Sequence, residues 1–160
     1  MTQKASKIST WMCVALAALT VTCTAAVAAG KPPAKGSQMT LVFKEHSRHH
    51  VPEGPTALGQ MTFTEGDAVS TNGAAAGTYN TRKIVIELTP TKLVIDNLVY
   101  VSLPNGTLTY MGVTSTAPDY AGPPVVTRPI VGGTGDYAGA RGVVKTSADP
   151  NGIRVEFIFD

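Results

Sequence analysis

From Met39 onward short β-branched runs are separated by turn residues, and where apolar and polar positions alternate with a period of two they mark a strand with one buried face. The last segment is the clearest case: Ile153, Val155, Phe157 and Phe159 fall on one side, and Arg154, Glu156 and Asp160 on the other. No stretch keeps an apolar 3.6-residue period for three turns, so no substantial helix is expected. β-branched runs separated by Gly, Pro, Asn and Asp predict eight strands. They are Met39–His46, Ala57–Thr64, Gly77–Leu88, Lys92–Leu103, Thr107–Ser115, Val125–Val131, Tyr137–Thr146 and Ile153–Phe159. Several connections are short and carry turn-forming residues: Thr89-Pro90-Thr91, Pro104-Asn105-Gly106 and Asp149-Pro150-Asn151-Gly152. Neighbouring strands should therefore pair as antiparallel hairpins. Closing such a meander into an eight-stranded antiparallel barrel removes both exposed edges, and a barrel of that size is either filled or holds one small ligand. A β-sandwich is the competing all-β architecture. Lys92–Leu103 is apolar on both faces apart from Asp96, Asn97 and Ser102, which implies a strand lined inside and covered outside, by another subunit for example.

The amino terminus breaks this pattern. Lys4 and Lys7 precede an apolar run from Trp11 to Val21, followed by Ala25-Ala26-Val27-Ala28-Ala29. A basic start, a short apolar core and small residues before a cut site form a cleavable export signal, with cleavage after Ala29 or Ala28. The alternative is an uncleaved N-terminal anchor, although the apolar run is short for a bilayer. Cys23 follows Thr20-Val21-Thr22, a poor fit to a lipoprotein site. Residues 30–38 read as a flexible polar linker and 39–160 as the barrel domain, in a secreted or periplasmic protein.

Signal removal changes the composition. Cys13 and Cys23 both leave, so disulfides cannot staple the mature chain. Lys4 and Lys7 leave as well, reducing the 13 basic residues to 11, equal to the 11 acidic ones. A neutral chain argues against nucleic-acid binding and against an anionic membrane surface. About 130 residues remain, enough for one domain with a core.

The most distinctive segment is Ile130–Thr146, IVGGTGDYAGARGVVKT. Its glycines do not follow dinucleotide-fingerprint spacing, and neither a Gly-Lys-Ser/Thr ending nor a βαβ unit is present. A tight strand-to-strand turn is the structural reading, with Asp136 and Arg141 as a local ion pair. VGGTGDYAGARG resembles the signature hairpin of plant dirigent proteins and allene oxide cyclases. Gly59-Gln60-Met61-Thr62-Phe63 resembles the family's second strand, Ala75–Tyr79 its A-x-G-x-Y, and Asn105–Thr109 its N-G-S-x-L segment. The likeness spans about Met39 to Phe159. It implies an eight-stranded antiparallel barrel of the allene oxide cyclase/dirigent, calycin-like type, with an apolar pocket and no cofactor. Plant relatives often form trimers, which implies a homo-oligomer, dimer or trimer. Members of this family restrict a reactive intermediate in a dry cavity so that one product forms, and some bacterial relatives act by cycloaddition.

The resemblance also implies site residues. Phe43-Lys44-Glu45-His46-Ser47 is similar to the cyclase strand whose Glu lies in the pocket, which puts Glu45 and Phe43 there. The cyclases' following Asn is Ser47 here, and their pocket Cys falls at Tyr79. A functional dirigent Asp falls at Glu65, with Asp67 close by. These departures count against allene oxide cyclisation itself and leave a dirigent-like or other cyclase role, with Glu45 and Glu65 as candidate catalytic residues. Phe43, Tyr79, Asp96 and Tyr100 are the candidate pocket lining, and Asp96 needs a partner such as Arg82 or Arg141. The expected ligand is a small hydrophobic or phenolic molecule. A non-catalytic extracytoplasmic carrier, or a protein acting through its surface, is the alternative. His46, His49 and His50 read as an exposed loop rather than a metal site, and no Ser-His-Asp or Cys-His spacing supports nucleophilic hydrolysis. Intact-mass analysis of the exported protein is expected to show loss of residues 1–29 or 1–28; a chain still carrying Met1 would mark an anchor instead.

Overall fold

The computed structural model describes residues 33–119 and 125–160, and the predicted export signal lies outside them. Eight strands follow in order: β1 Gln38–Val51, β2 Met61–Ser70, β3 Ala75–Leu88, β4 Leu93–Leu103, β5 Gly106–Thr116, β6 Val126–Gly133, β7 Gly142–Asp149 and β8 Gly152–Phe159. Every neighbour in sequence pairs antiparallel, and β1 pairs with β8, which closes the barrel. The eight-stranded antiparallel barrel predicted from strand count and turn chemistry is the fold, and the sandwich is excluded. The end of the predicted linker is tied down, since Gly36 N–H donates to the Phe159 carbonyl and Phe159 N–H to that of Ser37.

Two predicted strands are displaced. Residues 57–60 belong to a loop that Gln60 organises, its buried amide donating to the carbonyls of Pro52 (3.0 Å) and Gly54 (3.2 Å). β2 instead runs on through Glu65-Gly66-Asp67, a segment that resembles a break. Gly66 points inward between Glu45 and Tyr79, its ladder partners. A Cβ there would run into the Lys44 carbonyl oxygen and come within 2.8 Å of the Tyr79 ring. The second displacement is at Tyr137, which ends a 3₁₀ turn over Gly135–Tyr137, so β7 starts five residues later at Gly142.

The barrel interior has two unlike halves. Toward the end that carries both chain termini of the domain, Val101, Leu108, Ile130, Val144, Val155, Phe157 and Phe159 pack as a continuous core. Tyr110 meets Phe157 edge-on at 5.9 Å, and Tyr137 stacks over Phe159 at 6.5 Å. The glycine-rich hairpin closes this floor. Asp136 N–H donates to the Asn105 carbonyl (2.9 Å), and the Thr107 and Thr134 hydroxyls hydrogen-bond at 2.8 Å. Gly135, at φ +59°, lies where any Cβ would strike the Asn105 carbonyl. The expected Asp136–Arg141 ion pair does not form, because Arg141 turns back to the Ala140 carbonyl at 2.8 Å. The opposite half, at the end of the 52–60, 89–92 and 150–151 connections, is hollow.

Gly66→Ala should overpack the contact among β1, β2 and the Tyr79 ring, costing about 1–3 kcal/mol. A urea midpoint unchanged from the parent would disprove that close approach.

Candidate functional site

The hollow half is a cavity of about 490 Å³ open at one end, within the size range of small-molecule pockets. Its deep wall is aromatic: Phe43 and Tyr79 stack at 4.2 Å and 7°, both 3 % exposed. Val99, Leu93, Ile95 and Ile153 extend the apolar lining toward the mouth.

Ladder pairing places the polar lining in rows. Thr64 on β2 lies opposite Thr81 on β3, Thr81 opposite Val99 on β4, and Val99 opposite Tyr110 on β5. Nearer the mouth, Lys83 lies opposite Asn97, and Asn97 opposite Gly112. The aliphatic stem of Arg128 from β6 crosses Gly112, its Cγ only 3.2 Å from where a Cβ would stand. Arg128 is 7 % exposed and donates to the Thr114 hydroxyl at 2.5 Å. That bond bridges a split in the wall, because the β5–β6 ladder ends at Tyr110 opposite Ile130. The next residue toward the mouth, Pro129, has no N–H to extend it.

β1 contributes the charged pair at the mouth. Its ladder with β2 slips between Glu45 and Ser47, a bulge that exchanges the inward-facing parity. Phe43 and Glu45 face inward before it, and Arg48 opposite Thr64 does so after it. Arg48 donates to Glu45 at 2.6 Å. Among the described residues the lining thus contains one carboxylate, already paired, and three basic side chains, Arg48, Lys83 and Arg128.

Burial dominates the electrostatics. It pushes the Tyr79 phenol up to about 12, with the Glu45 charge adding to the effect. It raises Tyr110 further still, against the opposing pull of Arg128. Burial also lowers Lys83, assisted by the Arg48 and Arg128 charges and opposed by Glu45. It lowers Arg128 too, though a guanidinium retains its charge at any physiological pH.

Of the predicted site residues, Phe43, Glu45 and Tyr79 surround the cavity. Glu65, Asp96 and Tyr100 do not. Glu65 is exposed on the outer face of β2, out of phase with inward Thr64 and Gly66. Asp96 and Tyr100 alternate outward on β4 while Ile95, Asn97 and Val99 point inward. Neither Arg82 nor Arg141 forms an ion pair with Asp96 among the described residues. The three histidines lie on β1 rather than in a loop, and they diverge. His46 meets Asp67 at 2.9 Å, His49 lies 4.0 Å from Glu53, and His50 hydrogen-bonds Thr62 at 3.0 Å. Among the described residues no group of His, Cys, Asp and Glu assembles that could hold a metal. Sequence reasoning missed Arg128, Lys83, Asn97 and Tyr110. Period-two phasing carried the signal, since Arg128 shares parity with Ile130, and Lys83 with Tyr79 and Val85.

The model of the allene oxide cyclase barrel like domain matches residues 39–151. The chain belongs to that family. A search of curated proteins finds no sequence match. Among solved structures, a pyocyanin demethylase is 21 % identical with a TM-score of 0.64, covering 78 % of this chain and 100 % of its own. AbnU, described as an exo-specific intermolecular Diels-Alderase, is 16 % identical with a TM-score of 0.60 over 78 % of this chain and 98 % of its own. The Diels-Alderase AbmU from Streptomyces koyangensis is 14 % identical with a TM-score of 0.59, and the match spans 78 % of this chain but 63 % of AbmU. These likenesses establish that the allene oxide cyclase-like barrel is shared.

The raised tyrosines make stability pH-dependent in a defined direction. An unfolded tyrosine releases its proton near pH 10 whereas folded Tyr79 keeps it to about 12, so stability should fall as pH rises between those values. Urea midpoints measured across that range should fall less steeply for Tyr79→Phe than for the parent.

Proposed function

We propose that this protein is an extracytoplasmic cyclase-like barrel that binds one small hydrophobic or phenolic molecule and steers its cyclisation or coupling. The observation that carries the reading is the cavity itself. A closed barrel packed solid at one end opens at the other into about 490 Å³ with an aromatic wall and a few convergent polar groups. Such a site restricts the conformations of a flexible reactive molecule and excludes water from it, which is how rate and product selectivity arise without a covalent step. The Tyr79 and Tyr110 phenols stay protonated and serve as hydrogen-bond donors toward charge developing on an oxygen. Glu45 at the mouth is the one carboxylate placed to accept or return a proton. Family membership and the barrel shared with Diels-Alderases support the cyclase reading. The basic start, apolar run and small residues before Gly30 support an extracytoplasmic location.

One observation favours a second reading, a carrier. The Glu45 carboxylate is held by Arg48 at 2.6 Å, so no lining carboxylate stands unengaged. Native mass spectrometry of the purified protein should show a retained organic ligand, and Thr81→Phe, which fills the cavity, should lose it while keeping the fold. Retention of the ligand by the filled variant would place it elsewhere and sink the proposal. Glu45→Gln then separates the two readings: altered turnover or product marks a cyclase, and unchanged ligand retention without any product marks a carrier.

A further inference from the structure

We infer that the ligand of this cavity carries an anionic group, a carboxylate, sulfonate, phenolate or enolate, held between Arg128 and Lys83; the inference rests on the cavity being a ligand site as proposed above. Arg128 is more than nine-tenths buried, and its stem is accommodated because Gly112 has no side chain beneath it. Its Nη2 is spent on Thr114, a neutral acceptor, and its Nε–H has no partner among the described residues. No carboxylate lies within ion-pair distance of Arg128 or Lys83 among the described residues. Glu45, the only acidic residue of the lining among the described residues, is bound to Arg48 instead.

Among the described residues, four buried side-chain polar atoms lack a hydrogen-bond partner: Thr64 Oγ1, Thr81 Oγ1, Asn97 Oδ1 and Arg128 Nε. All four residues line this one cavity. Buried polar groups are almost always satisfied, so their collection around one space indicates an occupant. Arg128 Nε–H and the Thr64 and Thr81 hydroxyls can donate to an anion, while Asn97 Oδ1 accepts from a donor elsewhere on the bound molecule. Two cations facing the same space at low dielectric are costly without a counter-charge. Two oxygens of a carboxylate or sulfonate match the guanidinium fork, and a phenolate or enolate oxygen accepts from one arm of it, with Lys83 as the second point of charge and Asn97 in register between Lys83 and Gly112. The aromatic wall of Phe43 and Tyr79 lies deeper, which orients an amphipathic molecule with its apolar part inward and its anion toward the Arg128–Lys83 row.

The test compares two probes that share an aryl skeleton: 8-anilinonaphthalene-1-sulfonate and the uncharged N-phenyl-1-naphthylamine, each titrated by fluorescence at neutral pH. The parent protein should bind the sulfonate at least about tenfold more tightly, as expected for a charge-assisted pair in a buried site. Arg128→Met combined with Thr114→Val removes the guanidinium and its acceptor together. It should abolish the preference while leaving the affinity for the neutral probe within about twofold. Its thermal midpoint should equal or exceed that of the parent, since an unpaired buried charge is gone; a lower midpoint would make Arg128 a structural residue and overturn the inference. Lys83→Met should weaken the preference without erasing it. Equal binding of the two probes by the parent, or a preference that survives in Arg128→Met/Thr114→Val, would overturn the anion site while leaving the cavity reading intact. A preference that survives in the filled Thr81→Phe variant would place the probes outside the cavity and overturn both. Failure of both probes to bind would instead remove the cavity reading, and the anion site with it.

Discussion

Pairing of β1 with β8 closes the sheet, and closure fixes the interior that the side chains must either fill or leave open. Here the two solutions are divided along the axis. Phe157, Phe159, Leu108 and Tyr137 fill one half. In the other half Thr64, Thr81, Asn97, Thr114, Thr116 and Thr146 stand among the larger side chains of the lining and leave space between them. The cavity, among the described residues, is lined by the strands alone.

Small residues also determine where the large ones go. Gly66 makes room for the Tyr79 ring and so for its stack on Phe43; Gly112 makes room for the Arg128 stem. Each glycine sits on a strand, where it weakens local propensity, and each is explained by a side chain reaching across from the next strand. The local cost is offset by placing an aromatic wall and a buried cation at chosen depths.

Much of the architecture was legible in the sequence. Eight strands, tight antiparallel turns and the inward phase of β8 follow from a period-two pattern punctuated by turn residues. The errors share a physical cause, which is that phase was unreadable or was locally inverted. β4 is apolar on both faces, so nothing in its pattern tells inside from outside, and Asp96 and Tyr100 lie on the outer face rather than in the lining. The bulge at His46 exchanges the parity of β1, so Arg48 could not be placed by counting from Phe43. Gly66 resembles a break, which displaced β2 and with it the expected role of Glu65. Arg128 and Lys83 were in phase with buried neighbours, yet a charged residue on a half-buried strand is read as solvated unless its surroundings are known.

The VGGTGDYAGARG hairpin, which makes the chain recognisable, seals the floor at the opposite end of the barrel from the cavity mouth. Kinship and chemistry are therefore written at opposite poles of the molecule. The end that declares ancestry is packed against Asn105, Thr107 and Phe159 and tolerates little change. The mouth, framed by the 52–60, 89–92 and 150–151 connections, can be rebuilt for another molecule without disturbing that floor. Relatives of this chain can thus share the hairpin and differ completely in what they hold.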